Sequence, residues 1–173
     1  MRMLIAATFI AVGALTAAPP AGLTFTAPAA WHTRPAAGTM RVAEFVVPRA
    51  AGDPEDAEVI VYFFGLSVGS VDSNVDRWIG QMQQPDGSAS KDKARREAQT
   101  INGLKVTMVD VAGTYVAEVR PGATERYNKP DFRLRAAVIE TPRGAYYIKM
   151  TGPAKTMAAA DGEFKKFLST LRY

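Results

Sequence analysis

The chain has 173 residues, no cysteine and a formal net charge of +4, from 21 lysines and arginines against 17 aspartates and glutamates. The lack of cysteine excludes disulfides and a lipid-modified N-terminal cysteine, so the fold has to rely on its hydrophobic core. The charge is too mild for a nucleic-acid-binding protein, in which basic residues concentrate on one face.

The first 21 residues are typical of an export signal. Arg2 precedes an uncharged apolar run from Met3 to Ala18, which Pro19 and Pro20 end. This run is shorter than the roughly 20 apolar residues that a membrane-spanning helix needs. We expect residues 1–21 to be removed and residues 22–173 to form one monomeric domain in the periplasm or outside the cell. An uncleaved segment that anchors the chain in the membrane is the alternative.

Three strands are predicted in the first part of the exported chain. Leu23 to Ala27 alternates apolar and polar residues, and Met40 to Val47 is a second strand that Pro48 ends. Val59 to Phe64 is apolar without alternation. Such a run is typical of a central strand that is covered on both faces.

A helix is predicted from Val71 to Met82, with Ser70 or Ser73 as its N-cap. Its apolar residues recur at the spacing of one buried helical stripe: Val71, Val75, Trp78, Ile79 and Met82. Trp78 is therefore expected to pack in the core, and a role in ligand binding is the less favoured interpretation.

Two hairpins and a second helix complete the chain. Asn102-Gly103 predicts a type I′ turn, and a second hairpin joins Phe132–Glu140 to Ala145–Thr151. A last helix is predicted from Thr156, as its N-cap, to about Leu171. The order of elements predicts an α+β fold, an antiparallel sheet sandwiched between helices.

Several strings resemble a group of uncharacterised exported bacterial proteins of the PsbP-like superfamily, from about Trp31 to Leu171. The strings are Asn74–Gln81, Gln84–Gly87, Asn102–Thr107, Gly113–Tyr115 and Lys149–Pro153. The resemblance implies an α-β-α sandwich with a role in binding or assembly. It implies no catalytic residues, and the photosynthetic function of some members is not carried over to this chain. We expect no cofactor.

The segment from Val116 to Asp131 is long for a connection in a compact domain, which is typical of functional or mobile loops. It carries Arg120, Arg126, Tyr127 and Lys129. Basic groups beside an aromatic ring are suited to contact with an anionic ligand or a partner protein. These four residues are the candidate binding site, and a solvated loop without a partner is the alternative.

A hydrolase is a further alternative. Gly65 to Gly69 matches the G-x-S-x-G pattern, with Ser67 between a strand and a helix. In that fold the catalytic histidine follows the serine, whereas the single histidine here, His32, precedes it. We therefore expect no catalysis by Ser67 and a solvent-exposed His32.

Two charged groups are expected to be solvated surface. The first is the acidic group Asp53, Glu55, Asp56 and Glu58. It lacks the residue spacing of a calcium-binding loop. The second is the run Lys91–Glu97, whose mixed charges do not form a uniformly positive field. We expect no metal site.

The sequence therefore predicts an exported, non-enzymatic binding or assembly module. Its partner would be a protein or a small anionic ligand, and no nucleic acid. The alternatives are a small serine hydrolase and an envelope-anchored protein that contacts anionic lipid or a partner through residues 116–131.

Overall fold

An antiparallel sheet carries the fold in the computed structural model, which describes residues 22–66 and 69–173. Within these residues the strands are β1 (His32–Arg34), β2 (Arg41–Val47), β3 (Ala57–Phe63), β4 (Met82–Gln83), β5 (Arg95–Ile101), β6 (Leu104–Tyr115), β7 (Lys129–Glu140) and β8 (Tyr146–Pro153). The helices are α1 (Val71–Ile79), α2 (Ser90–Lys93), α3 (Ala154–Ala159) and α4 (Asp161–Ser169).

The strands follow the order β1-β2-β3-β8-β7-β6 across the sheet. β7 pairs with β6 along most of the length of β6, so β4 and β5 share the outer side of that strand. The predicted α+β class with an antiparallel sheet is confirmed. The predicted signal peptide, residues 1–21, lies outside the described residues.

Two hydrophobic cores lie on opposite faces of the sheet, because side chains alternate along each strand. The core on one face joins the central strands to α4 and includes Val59, Val61, Ile148, Met150, Phe164, Phe167 and Leu168. The core on the other face joins them to α1 and includes Val75, Trp78, Ile79, Val109, Leu134, Val138 and Tyr147. This arrangement explains the unbroken apolar run of β3.

The predicted strand at Leu23–Ala27 is wrong. Only Thr24 forms a bridge, in which Thr24 N donates to Arg172 O at 2.8 Å and Arg172 N donates to Thr24 O at 3.0 Å. Phe25 packs edge-on against Phe167 of α4, with ring centroids 5.3 Å apart. The segment therefore covers α4 and the chain end, and its alternation reflects packing outside the sheet.

The first helix begins as predicted and ends earlier. Ser70 caps it by accepting a hydrogen bond from Ser73 N at 3.1 Å. The helix stops at Ile79, and Met82 is 3% exposed as part of β4, opposite Tyr115. Met82 thus fits the helical spacing, yet a short strand buries it.

The predicted final helix is divided into α3 and α4, which meet at Ala160. The break lies close to Gly162, whose backbone freedom disfavours helix. Thr156 is inside α3 and is not an N-cap. Its N–H and hydroxyl both donate to Asp53 Oδ2, at 2.8 and 2.5 Å, and so tie α3 to the loop between β2 and β3.

Both predicted hairpins are present. Ile101 lies opposite Leu104, and Asn102 and Gly103 have φ values of 50° and 81°, as a type I′ turn requires. The second hairpin joins β7 to β8, with Ile139 opposite Tyr146. Among the residues that the structure describes, no helix has the length and apolar character to cross a membrane.

Replacing Trp78 with alanine should lower the free energy of unfolding by about 3–5 kcal/mol, because it leaves a cavity in a packed core. Trp78 is 4% exposed and meets Tyr147 edge-on at 5.8 Å. Denaturant titration measures the change. Asp76→Ala, at an exposed position of the same helix, is the control and should change stability by no more than about 0.5 kcal/mol. Wild-type stability in Trp78→Ala would contradict the packing role.

Candidate functional site

Lys149 is a charged residue at an apolar position in the middle of the sheet. It lies on β8 between Ile60 of β3 and Ala136 of β7, which are 5% and 1% exposed. The alternation of β8 directs Lys149 to the same face as Tyr147, the face that α1 covers. An ammonium group is rare in such a position and requires polar partners.

Two neutral oxygens bind the Lys149 ammonium. Nζ donates to Gln81 Oε1 at 2.5 Å and to the Tyr115 hydroxyl oxygen at 3.2 Å. Gln81 lies at the corner between α1 and β4, and Tyr115 ends β6. Of the ion pairs formed within residues 22–66 and 69–173, none includes Lys149. Its direct hydrogen-bond partners are therefore neutral, and no carboxylate among the described residues lies within ion-pair distance of it.

Burial lowers the pKa of Lys149 to about 8. The nearby carboxylate of Glu58 raises the pKa and opposes this effect, while the positive charge of Arg77 lowers it further. Lys149 is thus protonated in most molecules at neutral pH and gives up its proton far more readily than an exposed lysine.

Tyr115 connects Lys149 to a cleft on the same face. Burial, followed by the charge of Glu58, raises the pKa of Tyr115, so its hydroxyl stays protonated. The oxygen accepts from Lys149, and in the described part of the chain no hydrogen bond uses this hydroxyl as a donor. The O–H is therefore available to a ligand, and the neighbouring ammonium polarises it.

Three aromatic rings form one wall of the cleft. Tyr115 stacks on Tyr127 with centroids 5.6 Å apart and on Phe132 at 6.1 Å. The ammonium of Lys129 lies 4.7 Å from the Tyr127 ring centroid and pairs with Glu55 at 2.8 Å. The rings are held in place before any ligand binds.

The cleft has a volume of about 360 Å³ and reaches across the sheet to β1. Arg34 of β1 pairs with Glu58 of β3 on this wall, beside Val46. Glu55 pairs with Lys129, and Asp56 accepts a hydrogen bond from Arg49 N at 3.0 Å. Each carboxylate that lines the cleft thus has a partner. Lys149 does not line the cleft itself and is connected to it through Tyr115.

The structure brings together two of the four predicted site residues. Tyr127 and Lys129 line the cleft, and Lys129 already belongs to β7. Arg126 lies outside it, with Nη1 donating to Val116 O at 3.2 Å and Nη2 3.6 Å from a carboxylate oxygen of Glu118. Arg120 is exposed in a turn of the same segment. The binding role of all four stays a prediction.

The other candidates occupy separate places. His32 is exposed on β1, as predicted. Ser67 lies outside the described residues, so the prediction that it has no catalytic role stays untested. Of the four acidic residues, Glu55, Asp56 and Glu58 line the cleft, whereas Asp53 binds Thr156 and does not line it. Within the described ranges, no three histidine, aspartate or glutamate side chains could hold a metal ion together.

Sequence reasoning missed Lys149, Gln81 and Tyr115 as a group, although each lies in one of the strings that carry the family resemblance. A signal was present. Lys149 is the single charged residue between Ala145 and Thr151, and alternation puts it on a face that should be apolar. The convergence of the three residues depends on sheet order, which the sequence does not reveal.

Other residues of these strings have structural roles. A Cβ on Gly113 would lie 2.5 Å from Gln83 O, and one on Gly152 would lie 2.3 Å from the Cβ of Ala57. These glycines allow β4 to approach β6 and β3 to approach β8 closely. Part of the resemblance therefore reflects the fold, independent of any ligand.

Solved structures with a similar fold include two bacterial proteins. LpqN of Mycobacterium tuberculosis, described as involved in cell envelope biogenesis, shares 9% identity, with a TM-score of 0.56 over 86% of this chain and 81% of LpqN. PA94 of Pseudomonas aeruginosa, of unknown function, shares 15% identity, with a TM-score of 0.51 over 87% of this chain and 96% of PA94.

A cyanobacterial PsbP, CyanoP of Synechocystis, matches at 11% identity and a TM-score of 0.48, over 93% of this chain and 98% of CyanoP. No family model matches the chain, and no curated protein does. The matches to LpqN and PA94 show a shared fold, with which the PsbP-like resemblance of the sequence is compatible. Identities this low carry no information about ligand or activity.

The free energy of unfolding should rise between pH 8 and pH 10.5 in a way that depends on Lys149. The folded chain loses the Lys149 proton near pH 8, whereas the unfolded chain keeps it to about 10.5, so the unfolded state binds more protons in this window. The rise should be on the order of 2–3 kcal/mol.

Denaturant titration across this pH range should show the rise in the wild type and in Lys155→Met, an exposed control on α3. Lys149→Met should lack this component. Parallel curves for wild type and Lys149→Met would mean that Lys149 is as well solvated in the folded chain as in the unfolded one.

Proposed function

We propose that this chain is an exported, non-enzymatic binding module. In this proposal the cleft beside Lys149 holds a small ligand that carries one carboxylate or a similar single negative charge. The observation that carries the proposal is the pair formed by Lys149 and Tyr115. Among the described residues, Lys149 has no carboxylate in direct contact, and the Tyr115 hydroxyl has no acceptor.

An anion satisfies both groups of this pair. A partly buried cation without a counter-charge raises the free energy of the folded protein, and a bound anion offsets this cost. The Tyr115 hydroxyl would donate to the anion directly, with Lys149 immediately behind it. The carboxylates on the walls are already bound to Arg34, Lys129 and the Arg49 N–H, and in the described part of the chain none of them forms an ion pair with Lys149.

The rest of the cleft favours a compact, partly aromatic ligand. A volume of about 360 Å³ is at the small end of ligand pockets. The stacked rings of Tyr127, Tyr115 and Phe132 offer apolar surface that stays rigid on binding, which limits the loss of conformational entropy. A ring that bears one carboxylate matches these constraints better than a flexible or multiply charged molecule.

The architecture and the location belong to the same proposal. We infer a complete α-β-α sandwich in which α1 covers one face and α4 the other, in agreement with the two hydrophobic cores. Export is supported by the apolar run of residues 3–18. The envelope role of LpqN, a protein of similar fold, is consistent with that location.

Benzoate is a suitable probe, because it joins one carboxylate to one ring. Titration followed by amide chemical shifts should show saturable binding at pH 7 that moves residues of β8 and the end of β6. Lys149→Met should abolish the binding, and Tyr115→Phe should weaken it by about tenfold through loss of one charge-assisted hydrogen bond. Lys155→Met is the matched control and should bind as the wild type does.

Binding should also weaken as the pH rises above 8, because the neutral amine of Lys149 no longer attracts the carboxylate. Acetate and inorganic phosphate extend the test to other anions. If none of the three anions bound, or if all bound equally to Lys149→Met, the proposal would be wrong. Binding to phosphatidylglycerol vesicles that Arg120→Glu abolishes would instead favour lipid contact through residues 116–131.

A further inference from the structure

The second candidate surface is the outer edge of β5. The groove beside this edge is on the opposite face of the sheet from Lys149. β5 pairs with β6 on one side, and in the part of the chain that the structure describes no strand pairs with its other side. Six of its seven residues are exposed. Arg95, Arg96 and Glu97 charge one end, which opposes unspecific pairing, whereas Ala98–Ile101 is uncharged.

The hairpin turn determines which backbone groups point outward. Ile101 and Leu104 flank a two-residue type I′ turn and therefore form a hydrogen-bonded pair. Such pairs alternate with pairs whose N–H and C=O groups point away from the neighbouring strand. Ala98 and Thr100 thus direct their N–H and C=O groups outward from the sheet.

A groove of about 770 Å³ lies next to this edge, between the sheet and α4. Apolar side chains line its middle, namely Ile101, Met108, Phe164 and Leu168. The groove is held at one end by the Asn102 side chain, whose amide donates to Ser169 O at 2.8 Å and to Leu171 O at 2.9 Å. The turn and the last helix therefore keep a fixed separation.

The opposite end of the groove is positively charged. Asp110 binds Arg133 Nε at 2.6 Å and Arg135 Nε at 3.0 Å, and Arg135 also pairs with Asp161. Asp161 forms a second ion pair, with Lys165. The groove is lined by four cations, including the exposed Arg95, and by three carboxylates that are all paired, so the excess charge is positive.

We propose that an extended peptide segment of another chain adds to the β5 edge as a new strand. An extended backbone is the structure that pairs with the outward groups of Ala98 and Thr100. Its alternate side chains would enter the groove, so they should be apolar, and an acidic residue should face the Arg95 end. Seven residues of β5 span roughly 20 Å, which sets the length of the segment at about six or seven residues.

This site is independent of the small-ligand cleft. Gln99 and Met108 face the core that contains α4, whereas Lys149 faces the core that contains α1. A change at one site should therefore leave the other intact, and the failure of one proposal does not decide the other.

A library of random heptapeptides displayed on phage is the probe, selected against the purified wild-type protein. Enriched peptides should alternate apolar residues and carry an acidic group towards one end. Ala98→Pro removes one outward N–H and keeps the backbone hydrogen bonds between β5 and β6. It should therefore lower the affinity for the enriched peptides by about tenfold or more. Ala98→Ser keeps the N–H and should bind as the wild type does, as should Lys149→Met.

Circular dichroism and denaturant titration establish whether Ala98→Pro is folded. Lys165→Glu is a second variant, which leaves the backbone of the β5 edge unchanged. It should lower the affinity for peptides with an acidic end several-fold. Failure to enrich any peptide, or equal affinity for wild type and folded Ala98→Pro, would overturn the proposal. A dimer in sedimentation velocity that Ala98→Pro converts to a monomer would assign the edge to a second copy of the chain and would also overturn it.

Discussion

Burial on both faces of the central strands is the constraint on which the rest of the structure depends. β3, β7 and β8 contribute buried apolar side chains to two cores, one that includes residues of α1 and one that includes residues of α4 and the N-terminal segment. Any polar group on these strands therefore costs free energy unless a partner satisfies it. Lys149 is a charged group whose direct partners, Gln81 and Tyr115, are neutral, and Tyr115 also lines the cleft.

Patterns that arise from one segment were predictable from the sequence. The apolar run of β3, the Asn102-Gly103 turn and the Ser70 cap each follow from local rules, and the structure contains all three. The predictions were wrong where one sequence pattern is compatible with two local structures. Met82 is buried as helical spacing requires, but in a strand, and Leu23–Ala27 alternates because it packs on α4.

The candidate site was less predictable, because its parts come from distant segments. Tyr127 and Lys129 were recognisable as an aromatic and a basic residue on a long connection. Arg120 and Arg126 share that composition and point elsewhere, since the segment folds on itself through the bridge between Glu118 and Arg126. Lys149 is on β8, Tyr115 ends β6 and Gln81 precedes β4. These residues meet because the sheet places β8, β7, β6 and β4 side by side in that order. Composition identifies candidate residues, and topology decides which of them act together.

The bridge between Thr24 and Arg172 joins the two ends of the described chain. Trp31 likewise depends on the last helix, because its indole N–H donates to Glu163 at 2.8 Å and its ring packs on Phe167. Thr24 and Trp31 thus lie more than 130 positions from their partners in the sequence. The core that contains α4 closes only when these distant segments meet, so its contacts are the most non-local in the fold. Such contacts carry a large loop-closure entropy and are expected to form late in folding.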